Sequence, residues 1–205
     1  MIVQRASMSE DVLIQLITHG REERNLEYKR DVSWKDTTIQ AKLIKSILAM
    51  SNIPNGGAIV IGVEQKGEEF TPNGLSDGNL KTFTQDSLSS RVSTFADPYV
   101  EITVTHVSYE SANYVVIQVM EFAEIPVLCK RDGKEGLSIG HLYTRPHRKI
   151  ESVLVPSQIE MREIVNMAVD KGMESLQQRL NKFSKSSMSE TEAAKLEFQK
   201  QAGGF

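Results

Sequence analysis

The string Asn55-Gly-Gly-Ala-Ile-Val-Ile-Gly-Val63 constrains this chain more than any other. From Ala58 to Val63 no side chain is polar, so the stretch reads as a strand buried on both faces rather than one with a wet side. Such a strand needs cover above and below it. The paired glycines before it let the backbone turn sharply with positive φ out of the preceding element. That element is helical by its spacing: Ile39, Leu43, Ile47 and Met50 share a face, Ile44 and Leu48 widen it, and Asp36 stands as its cap. Because a helix leads into the strand, the glycines are not a dinucleotide fingerprint, and with no Lys-Ser or Lys-Thr after them they are not a Walker loop. Adjacent glycines also bare N–H groups that can form an anion nest. A plain helix-to-strand turn and a phosphate contact both remain open for Gly56 and Gly57.

The flanking patterns predict a layered α+β fold. Ser7-Met-Ser-Glu10 has the form of a capping box, followed by Val12, Leu13, Leu16 and Ile17 at helical spacing and a stop at Gly20. Leu80, Phe83, Leu88, Val92 and Phe95 suggest one further helix, ended by Asp97-Pro98. The period then changes to two. Val100, Ile102 and Val104 alternate with Glu101, Thr103 and Thr105, and Tyr114 to Met120 returns as a second strand, with Glu110 to Asn113 as the turn of a hairpin. Ile125 to Lys130 and His141 to Thr144 read as two short strands joined by a polar loop. Pro156 opens a long helical pattern through Ile159, Ile164, Met167, Met173, Leu176 and Leu180, with Gly172 as a candidate break. The expected organisation is a domain over 1–155, with its core at about 22–150, a helical extension over 156–183, and a polar tail over 184–205 with a short helix opened by Ser189.

The single cysteine, Cys129, excludes an intrachain disulfide and reads as a packed strand residue. The first nine residues lack the apolar core of a secretory signal, and no 18-residue apolar stretch occurs, so the expected location is cytoplasmic. The formal net charge is −3. A dedicated duplex binder is often basic overall, so any nucleic-acid face here must be a local patch.

Five pieces of the sequence together carry a resemblance. Glu27-Tyr-Lys29, then Ala49-Met-Ser-Asn52, then Gly56-Gly-Ala-Ile-Val-Ile-Gly-Val63, followed by Pro126-Val127 and Tyr143-Thr-Arg145, resembles in order and spacing the core of Schlafen-like AlbA-type domains. The resemblance implies an α+β core with a mixed or antiparallel sheet packed with helices, and nucleic-acid binding, of RNA or DNA. It also implies a divalent-metal-dependent endonuclease, RNA favoured, built on three carboxylates with Mg²⁺ or Mn²⁺ as cofactor. Glu22 and Glu27 match the family's Glu-x4-Glu element. The third acid, an aspartate after Ile-Gly-Val, is replaced here by Glu64-Gln65, so Glu64 is the expected stand-in and Gln65 the departure. Hard divalent cations want charged oxygens, which a glutamine lacks.

Residues 126–150 hold six lysines and arginines against two acids, a local +4 in a chain of negative charge. With Lys29 and Arg30, the residues Lys130, Arg131, Tyr143, Arg145, His147, Arg148 and Lys149 are the expected nucleic-acid contacts. Guanidinium forks suit phosphate and aromatic faces suit unpaired bases. A solvated loop is the plainer reading of the same charges. Two other functions stay open: a non-catalytic DNA- or RNA-binding regulator or defence component, and a protein-interaction subunit that forms homo-oligomers through its methionine-bearing C-terminal helix.

Overall fold

The computed structural model describes the backbone of residues 8–202 and the side chains of residues 8–182. In chain order the elements are α1 (Glu10–Thr18), β1 (Leu26–Lys29), α2 (Thr37–Ser51), β2 (Gly57–Ile61), β3 (Val63–Lys66), β4 (Glu69–Pro72), α3 (Asp77–Leu80) and α4 (Gln85–Ser93). There follow β5 (Ala96–Asp97), β6 (Ile102–Tyr109), β7 (Ala112–Val119), β8 (Leu128–Cys129), β9 (Tyr143–Thr144), β10 (Val153–Leu154) and α5 (Gln158–Ala202). The chain divides into two units, Met1–Val165 and Asn166–Phe205.

The first unit is α+β and built on a mixed four-stranded sheet in the order β1-β2-β7-β6. β1 and β2 run parallel, with Glu27 opposite Ile59, and α2 is the crossover between them. β2–β7 and β7–β6 are antiparallel. Alternation along these strands sorts the core into two layers. Leu26, Tyr28, Ala58, Val60, Val107 and Val116 pack with Leu13 and Ile17 of α1. Ile59, Ile61, Val115 and Ile117 face the other way, toward the side covered by α2, and are fully buried. The strand after the paired glycines is thus covered on both faces.

Asp36 caps α2 as its position predicts, accepting from the Thr38 and Ile39 amides at 2.7 and 3.4 Å. The residue that caps α1 is Ser9, and its side chain makes no capping bond; Ser7 lies outside the described residues. The expected single helix over Leu80–Phe95 is two, because Thr84 starts a new one by accepting from the Ser87 amide. The hairpin turn is tighter than its sequence suggests. Glu110 and Ser111 alone make it, at φ 46° and 64°, the positive-φ pair that matches strand twist. The two short strands near Cys129 and Tyr143 pair with other partners, β8 with β5 and β9 with β10. α5 runs through Gly172 without a break. No helix of the described residues is long and apolar enough to cross a membrane.

Candidate functional site

β1 turns Leu26 and Tyr28 into the α1 layer and so turns Glu27 and Lys29 to the opposite face. There Glu27 is 7% exposed, and each carboxylate oxygen meets a cation: Oε1 lies 2.6 Å from Lys29 Nζ and Oε2 lies 2.5 Å from Arg145 Nη1. Arg145 is itself 1% exposed and also donates to the Glu23 carbonyl. Burial pushes the Glu27 carboxyl upward, but Lys29 and Arg145 outweigh it and hold it below the usual carboxylate range.

Other residues of the recognised pattern join this pair. Asn52, the C-cap of α2, is fully buried. Its amide nitrogen donates to the carbonyls of Leu48, Val127 and Tyr143, and its oxygen accepts from the Val127 amide at 2.8 Å. Tyr143, 2% exposed, donates to the Gly136 carbonyl and accepts from the Ser138 amide. Arg24 donates to the Arg145 carbonyl at 2.5 Å, meets His147, and forms a two-pronged ion pair with Glu163 at the start of α5. The hydrogen bond from Arg24 holds the Glu163 carboxyl below its ordinary value. Asn52, Glu27, Tyr143 and Arg145 therefore tie α2, β1 and the 127–145 segment into one polar network, and Arg24 extends it to residue 163.

A cavity of about 260 Å³ lies beside this network, lined by Glu22, Glu27, Lys29, Lys42, Lys45 and Glu135 among others. Its charges are matched. Lys42 faces Glu135 at 3.8 Å, and Lys45 sits over the Tyr143 ring. Glu22 spends one oxygen on the Tyr28 amide. The structure thus brings Glu22 and Glu27 to one cavity, but Glu64 is elsewhere. It lines a separate hollow with Arg30, Asp31 and Asn73, where Asn73 and Lys66 hold its carboxylate at 3.0 and 3.1 Å. The register explains this. Glu27 stands opposite Ile59, and Gly62, at φ 112°, takes the chain out of the sheet into the β3–β4 ribbon before Glu64 is reached. Gln65 bonds the Gly67 carbonyl in that ribbon's turn.

The expected metal set Glu22, Glu27 and Glu64 is therefore not assembled. Among the described residues no group of three or more His, Cys, Asp or Glu could hold a metal ion. A Mg²⁺ or Mn²⁺ ion needs carboxylate oxygens it can bind directly, and those of Glu27 are engaged by Lys29 and Arg145. These residues do not fit the metal that the resemblance implies.

The expected nucleic-acid contacts divide in the same way. Tyr143 and Arg145 are buried and cannot meet a ligand at the surface; Lys29 is committed to Glu27. His147 is exposed but held by Arg24 and Glu163, and exposed Lys149 faces Glu151. Arg30, Lys130, Arg131 and Arg148 are exposed and have no ion pair among the described residues. Gly56 and Gly57 serve the turn. Gly56, at φ 68°, donates its amide to the Ile53 carbonyl, and a Cβ there would lie 2.1 Å from the Val119 carbonyl. Cys129 is buried, and burial raises its thiol. Arg24 and Glu163 escape sequence reading, being one charge each among many and 139 residues apart. Asn52 is visible as a pattern residue, but its role as a clamp is not.

Fold and network together define a mixed-sheet α+β domain whose signature side chains are largely internal. Residues 22–154 match the family model described as Schlafen, AlbA_2, and the chain belongs to that family. Among solved structures it is similar to the N-terminal domain of a RecG-related protein from Nitrosomonas europaea. The identity is 22%, the TM-score 0.47, and the match covers 65% of this chain and 88% of that one. It is also similar to the DIP2311 protein from Corynebacterium diphtheriae, at 18% identity and TM-score 0.45, over 68% of this chain. The match spans only 23% of the length of that protein. Nothing among curated proteins matches.

Proposed function

We propose that this chain is a nucleic-acid-binding domain of the Schlafen AlbA type that grips strands through exposed cations and does not cut them with a metal. The observation that carries the reading is the division of the basic segment. Arg145 and Tyr143 are spent inside the fold, while Lys130, Arg131, Arg148 and Lys149 stay at the surface of an acidic chain. Exposed guanidinium and ammonium groups suit phosphate. The occupied oxygens of Glu27 speak against metal-assisted hydrolysis, which needs the ion to activate water and stabilise charge.

The test is to incubate transfer RNA and single-stranded DNA with the protein in Mg²⁺, in Mn²⁺ and in a chelator, then to resolve both complexes and products. The reading expects retarded complexes in all three conditions and intact strands. A product ladder that requires Mn²⁺ and disappears with Glu27→Ala would return the carboxylates to a catalytic role.

A second element of the proposal is self-association through α5. Val169, Met173, Leu176 and Leu180 recur at alternating spacings of four and three, and all are more than half exposed. That is the seam of a two-stranded coil, and a second copy of the helix supplies the same face.

A further inference from the structure

A separate cavity of about 260 Å³ opens between the start of α2, the end of α4 and the 131–134 loop. Thr37, Arg91, Phe95, Arg131, Asp132 and Lys134 carry its chemistry. Three cations line it against one carboxylate. That carboxylate is already engaged, since Asp132 Oδ1 accepts from the Ile139 amide at 2.9 Å. In the Glu27 cavity Lys29, Lys42 and Arg145 have acidic partners. Here, among the described residues, Arg91, Arg131 and Lys134 have none.

The cavity is also built rather than incidental. The Arg91 guanidinium stacks on the Phe95 ring at 5.2 Å, and its buried Nε has no hydrogen-bond partner among the described residues. Lys134 Nζ donates to Thr37 Oγ1 at 2.8 Å. The loop that carries Arg131 and Lys134 is pinned at both ends: the Lys130 amide donates to the Phe95 carbonyl, and the Gly133 amide to the Leu137 carbonyl. Gly133 lies so close to Phe95 that a Cβ there would sit 2.9 Å from the ring edge. The first amides of α2 are taken by Asp36, so the pull on an anion comes from the side chains and not from the helix end. Three cations against the single Asp132 carboxylate leave the hollow net positive, a field that favours entry of an anion.

We infer that this cavity is a phosphate-binding pocket that holds one phosphoryl group of a bound nucleic-acid strand. The inference rests on the nucleic-acid reading above and adds the place where one phosphate is fixed. Arg91 supplies a fork whose face is already held by Phe95, Arg131 and Lys134 supply the remaining positive charge, and Thr37 supplies a hydroxyl.

Two measurements on the full chain test it. In the first, inorganic phosphate is titrated while amide chemical shifts are followed by NMR. Thr37 and Gly133 should move in the wild type and stay still in Arg131→Gln/Lys134→Gln, a change of two exposed side chains. In the second, anisotropy follows a 3′-labelled twelve-nucleotide single strand carrying either a 5′-phosphate or a 5′-hydroxyl. The double variant should bind about tenfold more weakly, as expected for loss of charge-assisted contacts. Its log–log salt slope should be smaller by about 0.7, the share of one single-strand phosphate. Tighter binding of the 5′-phosphorylated strand assigns the pocket to a terminal phosphate; equal binding assigns it to an internal one. Shifts that ignore phosphate, with wild-type strand affinity in the double variant, overturn the pocket while leaving strand binding intact. Phosphate-induced shifts in a protein that binds no strand keep the pocket as a phosphate site and overturn the reading on which its assignment to a strand rests.

Discussion

Replacing Arg145 by alanine leaves the Glu27 carboxylate buried with Lys29 as its remaining cation and leaves the Glu23 carbonyl with the Leu26 amide as its donor. Breaking a buried pair in this way costs roughly 3–5 kcal/mol, so Arg145→Ala should show a large fall in its urea midpoint. Arg148→Ala, at an exposed position three residues on, should stay within about 0.5 kcal/mol of the wild type. Equal midpoints for the two variants would deny Arg145 its structural role. The same pair predicts an acid response. The Glu27 carboxyl is depressed in the folded state and so is that of Glu163. Such groups add stability that is fully present above their unfolded value, about 4.3, and is lost as pH falls through the folded one. The melting temperature should therefore hold from pH 7 to about 5 and drop below about 4, less steeply in Glu27→Gln. A decline beginning near pH 6 would point to histidine instead. Sequence alone marks Glu27 and Arg145 as important, but as ligands for something outside. Their mutual contact spans 118 residues, and nothing in local pattern shows that two charges so far apart neutralise each other.

The elements best read from sequence are those whose cause is local. The apolar run of β2, the Asp36 cap of α2 and the alternation in β6 and β7 each follow from residues within one turn or one hairpin. The elements read less well depend on partners from distant sequence. β8 and β9 are two-residue pieces that exist because β5 and β10 come to them, and Glu64 leaves the site because Gly62 turns the chain. Gly56 is the local feature most exposed to test. Its positive φ and its close approach to the Val119 carbonyl leave no room for a methyl group, so Gly56→Ala should lose more than about 2 kcal/mol by chemical denaturation. A neutral substitution there would mean that the turn can be rebuilt without glycine. α5 gives the opposite situation, an element that is plain in sequence and incompletely covered. Leu176→Asp/Leu180→Asp should convert a concentration-dependent dimer to a monomer in light scattering, with the domain's melting unchanged. A wild type that stays monomeric at millimolar concentration would remove the second copy from the account.

Considered as one object, the domain keeps its motif charges inside and leaves others free outside. Glu27, Arg145, Asn52 and Tyr143 join segments from opposite ends of the family-matched region and are spent on one another and on the backbone. On the proposed function, Arg131, Lys134 and Arg148, which have no ion pair among the described residues, hold the strand at the surface. The most direct test is the salt dependence of single-strand affinity, compared across wild type, Arg131→Gln/Lys134→Gln and Glu27→Gln. Wild-type log affinity should fall linearly with log salt, with a slope near −2, equivalent to about three phosphate contacts. The slope should be shallower in Arg131→Gln/Lys134→Gln and unchanged in folded Glu27→Gln. A slope near zero, or one that responds to Glu27 and ignores the surface cations, would contradict this account.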